Sequence, residues 1–458
     1  MDIPAVIFRQ YDIRGVVGED LSPQVAHAVG RALGTLARHK IGRDPRLAVG
    51  RDNRPSGELL ARAMRDGVAA AGGTAIDVGM LPTPALYFAL HELEVDGGVQ
   101  VTGSHNPPEF NGFKMVITGE TIYGDEIQRI RQLIETDQLD SAHGTIEADY
   151  AVLQRYSEAV VSIVDPLERP VKVVVDCGNG VASLVAESIL TRLGADVVSL
   201  YCESDGNFPN HHPDPTVIEN LKDLQESVRR TGAYLGIAFD GDGDRIGAVD
   251  ENGKVVFGDQ LLVLFGRDLV DRTSDRGAVI FDVKCSNILA EKLRDIGLEP
   301  VIWKTGHSLI KAKMKELQSP LAGEMSGHMF FGGDYYGYDD AIFAAARLLS
   351  YVARKGVPLS PLLKDLPQTF ATPEIRVECP EDRKFTVVEE AAKHFAQSYD
   401  VLTLDGARIS FSDGWGLIRA SNTQPALVMR FEASTEQGLA HHRAEVEDWL
   451  RSQGISGL

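Results

Sequence analysis

Two short stretches carry residue types whose spacing suggests chemistry. VTGSHNPPEFNGFK, residues 101–114, approaches Gly103 as an apolar run, sets Ser104, His105 and Asn106 side by side, and then meets two prolines. Proline fixes φ and removes a donor, so the chain beyond Asn106 is stiff. Two readings fit: a structural turn that happens to be polar, or an exposed nucleophile held by rigid backbone. FDGDGDRIGAV, residues 239–249, alternates Asp240, Asp242 and Asp244 with glycines and places Arg245 directly after them. Like charges about 4 Å apart repel by roughly 4 kcal/mol at an effective dielectric of 20. Three such carboxylates either splay into water or share a cation. Gly241 and Gly243 let the backbone fold so that the oxygens converge. An all-carboxylate set suits a hard ion, Mg²⁺ above all, which also takes phosphate oxygens. Arg245 favours a site that meets an anion as well.

Other motifs fit less well. Asp240, Asp242, Asp244 and Glu251 fall at positions 1, 3, 5 and 12 of an EF-hand, but Arg245 stands where its glycine is required, and the flanks read as strands. VVVDCGNGVAS follows a strand and opens a helix as a dinucleotide fingerprint would, yet Ser183 replaces its third glycine. Ser104 has no G-x-S-x-G elbow. GAVDENGKV has the wrong spacing for a phosphate-binding loop, and valine replaces its Ser/Thr.

The elements that must position these residues recur. RLAVGRDNR, VKVVVDCGNG and AVIFDVKCSN are apolar runs ending in polar turns, and each precedes a helical stretch, a glycine stop and a second strand. A third run then leads into an unusual loop: GGVQVTGSHNP, YLGIAFDGDGD and SPLAGEMSGHM. The pattern is β-α-β-α-β three times, with the odd motifs after the third strand, at the ends that face the ligand crevice in α/β sheets. Beyond residue 368 the texture changes. TPEIRVECPED, RISFSDGWGLIRAS and PALVMRFEAS alternate, with separate helical stretches, which predicts a small α+β domain. DLPQTFATPE, with two prolines, reads as the linker.

Bulk properties narrow the partners. A net charge of −20 repels nucleic acid and anionic lipid, so neither is an expected partner. Four cysteines far apart in sequence form no C-x-x-C, against a zinc site or disulfide framework. The N-terminus is no signal peptide, because Arg9 breaks its apolar run. The most apolar stretch, AIFAAARLLSYVA, carries Arg347 in its middle and is too short to span a membrane. A cytoplasmic protein is expected.

Together these residues resemble one family, the α-D-phosphohexomutases. TGSHNPPEFNGFK is similar to its phosphoserine loop, DGDGDR to its metal loop, GEMSGH (323–328) to its sugar-binding loop and RASNTQP (419–425) to its phosphate-binding loop, in the family's order along the whole chain; YDIRG near the N-terminus matches too. Met325 makes GEMSGH similar to the form of the dual phosphomannomutase/phosphoglucomutases. The resemblance implies three topologically similar α/β/α domains with mixed sheets and a C-terminal α+β lid around a central cleft. On this chain they are expected over residues 1–150, 151–255, 256–368 and 369–458.

The resemblance further implies that a phosphoryl group moves between O1 and O6 of mannose and glucose phosphates, through phosphoserine at Ser104 and a hexose 1,6-bisphosphate. Ser104, Asp240, Asp242 and Asp244 would hold one Mg²⁺. A phosphoserine adds about −1.5 to −2 charge, which Arg14, Lys114 and Arg245 would help to balance. Lys114, with His105 nearby, is the candidate for proton transfer, though the sequence does not rank it above His307. Glu324 and Ser326 would hydrogen-bond the sugar's O3 and O4, which glucose and mannose share. Tyr11, Lys284, His307 and His328 would line the cleft, and Arg419, Ser421, Asn422 and Thr423 would grip the idle phosphate. The lid should close on phosphate and loosen while the bisphosphate turns. A monomer is expected. The alternatives are a mutase for another sugar phosphate, such as glucosamine phosphate, and a non-catalytic sugar-phosphate-binding protein.

Overall fold

The three sequence units fold as three sheets with one strand order. The structure, a computed structural model, describes residues 3–421 and 425–457. In the first sheet Thr74–Met80, Arg46–Arg51 and Gly97–Val101 lie parallel in that order. Phe110–Ile117 then returns antiparallel to Gly97–Val101. The second sheet repeats this with Asp196–Leu200, Lys172–Asp176, Leu235–Phe239 and a returning Ile246–Asp250. The third does so with Glu299–Trp303, Ala278–Asp282, Leu321–Gly323 and Met329–Phe331. Each unit therefore has one strand more than the β-α-β-α-β reading, and each unusual motif is the hairpin between the third strand and the fourth. Leu235–Phe239 is buried at every position, as expected where helices cover both faces and the strand reads as one apolar run.

The fourth sheet is wholly antiparallel, in the order Phe370–Ala371, Ala426–Ala433, Gly414–Ala420, Ala407–Ser410, Asp400–Leu402, with Ile375–Glu378 also paired to Ala426–Ala433. Helices Lys384–Phe395 and Glu436–Ser452 pack on it. This is the α+β domain that the alternation predicted. The proline-bearing linker is shorter than expected, because Phe370 and Ala371 already belong to that sheet.

The apolar stretch around Arg347 is the helix Ala341–Lys355, buried from Ala341 to Ala353. It sits in an apolar core shared by the first three units, with Phe88, Ile237, Phe265 and Phe281 among its members. No helix among the described residues is long and apolar enough to cross a membrane. Arg347 is tolerated in this core because Asp268 accepts from it; the same carboxylate also holds Arg272, at 3.0 Å, and Arg354. Asp340 caps the helix, accepting from the Phe343 amide at 2.8 Å and from the hydroxyls of Tyr156 and Tyr335 at 3.0 and 2.6 Å. Cys177 and Cys202, distant in sequence, meet as free thiols with Sγ atoms 3.3 Å apart.

Asp268→Ala strands the Arg347 charge in the core. It should lower the unfolding free energy by about 3–5 kcal/mol in urea titration at pH 7; a loss below about 1 kcal/mol would contradict the assignment. A second test uses pH. Burial pushes the Asp340 carboxyl up to about 7, outweighing its hydrogen bonds. The folded chain then holds a proton that the unfolded chain releases between about pH 4 and 7, so stability from this group rises as pH falls through that window. Wild type should gain stability over Asp340→Asn from pH 8 to pH 5, and a constant difference would contradict this.

Candidate active site

Ser104 is not the exposed nucleophile that its loop suggested. It is 2% exposed and has a φ of +49°, the left-handed region that a residue with a side chain rarely adopts. The turn is held from several sides. The Thr102 hydroxyl accepts the Ser104 amide at 2.8 Å and donates to Asp52 at 2.7 Å, and Asp52 also accepts the Gly103 amide at 3.2 Å. Arg14, on the edge strand Ile13–Val16 of the first sheet, donates to the Asn106 side chain at 2.6 Å and to the Gly103 carbonyl at 3.3 Å, while pairing with Asp12. His105 donates from Nδ1 to Asp214 of the second unit at 2.6 Å. Burial and the nearby Arg245 lower His105 to about 4, against the hydrogen bond to Asp214.

The second hairpin meets the first head on. Ser104 Oγ donates to Asp240 Oδ2 at 3.0 Å. A Cβ on Gly241 would lie 2.4 Å from the Ser104 carbonyl oxygen, so only glycine permits this approach. Asp240, Asp242 and Asp244 have no exposed surface and come together as a cluster with metal-ligand spacing. The flanks Leu235–Phe239 and Ile246–Asp250 are strands, which removes the EF-hand. Asp240 Oδ1 accepts the amides of Gly243, Asp244 and Arg245 at 3.0–3.1 Å. Asp242 Oδ2 accepts the Thr83 hydroxyl at 2.6 Å. Lys114, on the returning strand of the first sheet, donates to Asp242 at 2.7 Å and to Asp244. Burial opposes its charge, but Asp242, Asp244 and Asp240 outweigh burial and hold it well above the usual lysine range. Lys114 is therefore an ammonium among these carboxylates.

This donor set fits a divalent cation. Asp242 Oδ1 and Asp244 Oδ1 are buried with no hydrogen-bond partner among the described residues, although His328 Nε2 lies 3.3 Å from the latter. Burial and the neighbouring acids push Asp240 well above the ordinary range. Against burial, Lys114 holds Asp242 below that range, and Lys114 with His328 holds Asp244 well below it; the two unpartnered oxygens suit a hard ion.

The third hairpin closes the far side. Arg245 and His328 form a backbone bridge between the second and third loops. Glu324 accepts the Gly306 amide at 2.6 Å through Oε1 and pairs with His328 Nδ1 at 2.9 Å through Oε2, and Ser326 lies 3.2 Å from the same nitrogen. Burial opposes charge on His328, but Asp244 outweighs it and pushes the ring up to about 9. His307 behaves oppositely: burial, then Lys311 and Lys114, hold it well below the ordinary histidine range. Lys284 lies 3.7 Å from both Asp282 and Glu374. The Tyr11 hydroxyl donates to the Thr305 carbonyl at 2.9 Å, joining the first unit to the third.

In the lid, Arg419 is buried and paired with Asp405 at 3.2 Å; the Asp405 carboxylate also accepts the Thr305 amide at 3.0 Å. Ser421 is buried beside it, and its carbonyl accepts from Lys384 at 2.6 Å. Asn422 and Thr423 lie outside the described residues. The lid is docked on the third unit by Arg408, which donates to the Cys285 carbonyl at 2.9 Å, by Ser286, which donates to Glu432 at 2.6 Å, and by Trp415 against Val283.

Several site residues had no reading from sequence. Asp52 and Arg54 lie in RDNR, recognised only as a strand ending in a polar turn; both are buried under the Ser104 loop. Thr83 links the first unit to Asp242 through its hydroxyl and, at 2.9 Å, through its amide. The glycines of VVVDCGNGVAS support the acidic loop: a Cβ on Gly180 would lie 2.9 Å from the Gly241 carbonyl oxygen.

With this geometry in place, comparison with known proteins is direct. Residues 5–141, 154–253 and 257–370 match the family domains described as phosphoglucomutase/phosphomannomutase, alpha/beta/alpha domains I, II and III, and residues 374–448 match its C-terminal domain. The phosphomannomutase/phosphoglucomutase of Pseudomonas aeruginosa is 47% identical over 98% of this chain and 96% of its own. The phosphoglucomutase of Neisseria gonorrhoeae is 43% identical over 94% of each. A crystal structure of a phosphoglucomutase/phosphomannomutase family protein from Burkholderia thailandensis, 44% identical, superposes with a TM-score of 0.91 over 98% of both chains. Four family domains in order, full-length relatives and a site assembled from all three hairpins make this chain an enzyme of the phosphoglucomutase/phosphomannomutase family, within the α-D-phosphohexomutases.

Proposed function

We propose that the chain reversibly moves a phosphoryl group between O1 and O6 of mannose and glucose phosphates, through phosphoserine at Ser104 and a hexose 1,6-bisphosphate. The observation that carries this reading is the contact of Ser104 Oγ with Asp240, at 3.0 Å, inside a buried acidic cluster. An isolated serine there would have little reason to be buried against a carboxylate. A phosphoryl-carrying serine sharing a cation with it does.

Asp240, Asp242, Asp244 and the Ser104 oxygen would hold one Mg²⁺, which when bound would draw negative charge from the phosphoryl oxygens. Arg14, Arg245 and Lys114 would stabilise charge spread over the phosphoryl group in transit, the main task in phosphoryl transfer. Lys114, held as an ammonium, would give its proton to the departing Ser104 Oγ and receive one from the attacking sugar hydroxyl, so protons balance over the step. His105 would brace the loop through Asp214. Glu324 and Ser326 would take the sugar hydroxyls, with His328 setting the orientation of Glu324. Tyr11, Lys284 and His307 would line the same cleft, and Arg419, Ser421, Asn422 and Thr423 would hold the idle phosphate. Asp405 pairs with Arg419 at 3.2 Å. A site that reads O3 and O4 and ignores C2 would accept both sugars. The enzyme would act as a cytoplasmic monomer, with domains over residues 1–150, 151–255, 256–368 and 369–458.

Mannose 1-phosphate and glucose 1-phosphate should both be converted to 6-phosphates with no release of inorganic phosphate, and Ser104→Ala should bring both rates to background. Steady phosphate release would point to a phosphatase, and preference for glucosamine phosphate to the other mutase. Stripping divalent ions with EDTA should abolish turnover and added Mg²⁺ should restore it; full activity in chelator would contradict the role of the acids. Arg419→Ala should lower kcat/KM by about 10- to 100-fold, the effect of one lost charged hydrogen bond.

A further inference from the structure

On the reading that Ser104 carries the phosphoryl group, we propose that Arg54, seated by Asp52, is a positioning residue that fixes the carrier hairpin in its reactive shape. Arg54 follows the strand Arg46–Arg51 and is 1% exposed. A guanidinium presents five N–H donors in a rigid planar fork. Here one hairpin supplies four acceptors to it: the carbonyls of Ser104 at 2.7 Å, Asn106 at 2.6 Å, Phe110 at 3.0 Å, and Pro107. Its Nε donates to Asp52 Oδ2 at 3.1 Å. The hairpin thus folds around a single side chain.

The two sides of Ser104 are fixed by the two members of this pair. Asp52 Oδ2 orients the Thr102 hydroxyl, which accepts the Ser104 amide, so the plane before Ser104 is set. Arg54 takes the Ser104 carbonyl, so the plane after it is set. Between two fixed planes the residue has little choice but the left-handed φ that aims Oγ at Asp240. The Phe208 ring of the second unit lies 5.1 Å from the guanidinium carbon. A Cβ on Gly206 of the same unit would lie 2.2 Å from the Asn53 carbonyl oxygen. The clamp is therefore seated where the first unit meets the second, and it sets where the carrier stands relative to the acids. Arg54 gives its donors to the backbone of the hairpin, so it acts through Ser104.

A purely structural arginine and a positioning arginine predict different kinetics. Misplacing a reacting atom by about 1 Å costs roughly 100-fold in rate, whereas a structural role lowers stability and leaves the rate of each folded molecule unchanged. Lysine keeps the charge but has no planar fork, so Arg54→Lys is an informative change. Thr102→Val, nearly isosteric, removes only the hydroxyl on the Asp52 side. Full-length wild type, R54K and T102V would be followed by rapid-quench transfer of ³²P from labelled glucose 1,6-bisphosphate to Ser104, and by kcat and KM for mannose 1-phosphate. R54K should slow both transfer and kcat by about 100-fold with KM within about threefold of wild type. T102V should slow them by about tenfold, the effect of one hydrogen bond. If R54K does not fold, T102V decides. Wild-type transfer rates per folded molecule in the variants, or a change confined to KM, would overturn the assignment to Arg54 and Asp52 alone. Failure of wild type to label Ser104 at all would instead overturn the phosphoserine reading, and this role with it.

Discussion

Three carboxylates buried in one hairpin are the constraint around which the rest is arranged. Asp240, Asp242 and Asp244 have no solvent to screen them, and like charges at such spacing repel by several kcal/mol even at a generous dielectric. Each neighbouring element answers that repulsion. The first sheet sends Lys114 from its returning strand and Thr83 from the start of a helix. The hairpin supplies three of its own amides to Asp240. The third unit brings His328, whose charge is sustained by Asp244. What remains unanswered, two carboxylate oxygens without hydrogen-bond partners among the described residues, is what a divalent cation and a phosphoryl group would complete.

Repetition of one strand order makes this convergence possible. Each unit offers one hairpin at the same place, between its third and fourth strands, and a shared core holds three such hairpins together. One hairpin carries the serine, the next the acids, the third the groups proposed for the sugar. The fourth unit differs in class, with a sheet that is wholly antiparallel. It keeps a main core of its own and docks on the third unit through polar contacts and the packing of Trp415 on Val283, with Arg419 paired to Asp405 beside Thr305.

Much of this was legible in the residues. Glycine alternating with aspartate, and prolines directly after Ser-His-Asn, are local signals that need no knowledge of the fold. The threefold strand pattern was legible for a similar reason: runs such as LGIAF are apolar throughout because both faces are covered. The antiparallel domain was legible from its alternation. Long-range pairing of buried charge was not. Arg54 and Asp52 look like any polar turn until the chain fifty residues later wraps round them. Arg347 looks like an interruption in an apolar helix until Asp268, on a different helix, accounts for it. The fourth strand of the first and third units was missed because its first residues read as part of the motif, whereas that of the second, IGAV, did read as a strand. Ser104 itself was misjudged as exposed, since a tight polar turn usually is.

The account stands on the serine oxygen and the acidic cluster sharing one cation. Manganese, a paramagnetic substitute for magnesium, offers the most direct test. Enzyme loaded at Ser104 from glucose 1,6-bisphosphate should give a single phosphoserine ³¹P resonance, and one equivalent of Mn²⁺ per chain should broaden it beyond detection, with Asp242→Asn abolishing the effect. A phosphoserine resonance that stays sharp in the presence of bound Mn²⁺ would separate the metal from the carrier and contradict the account.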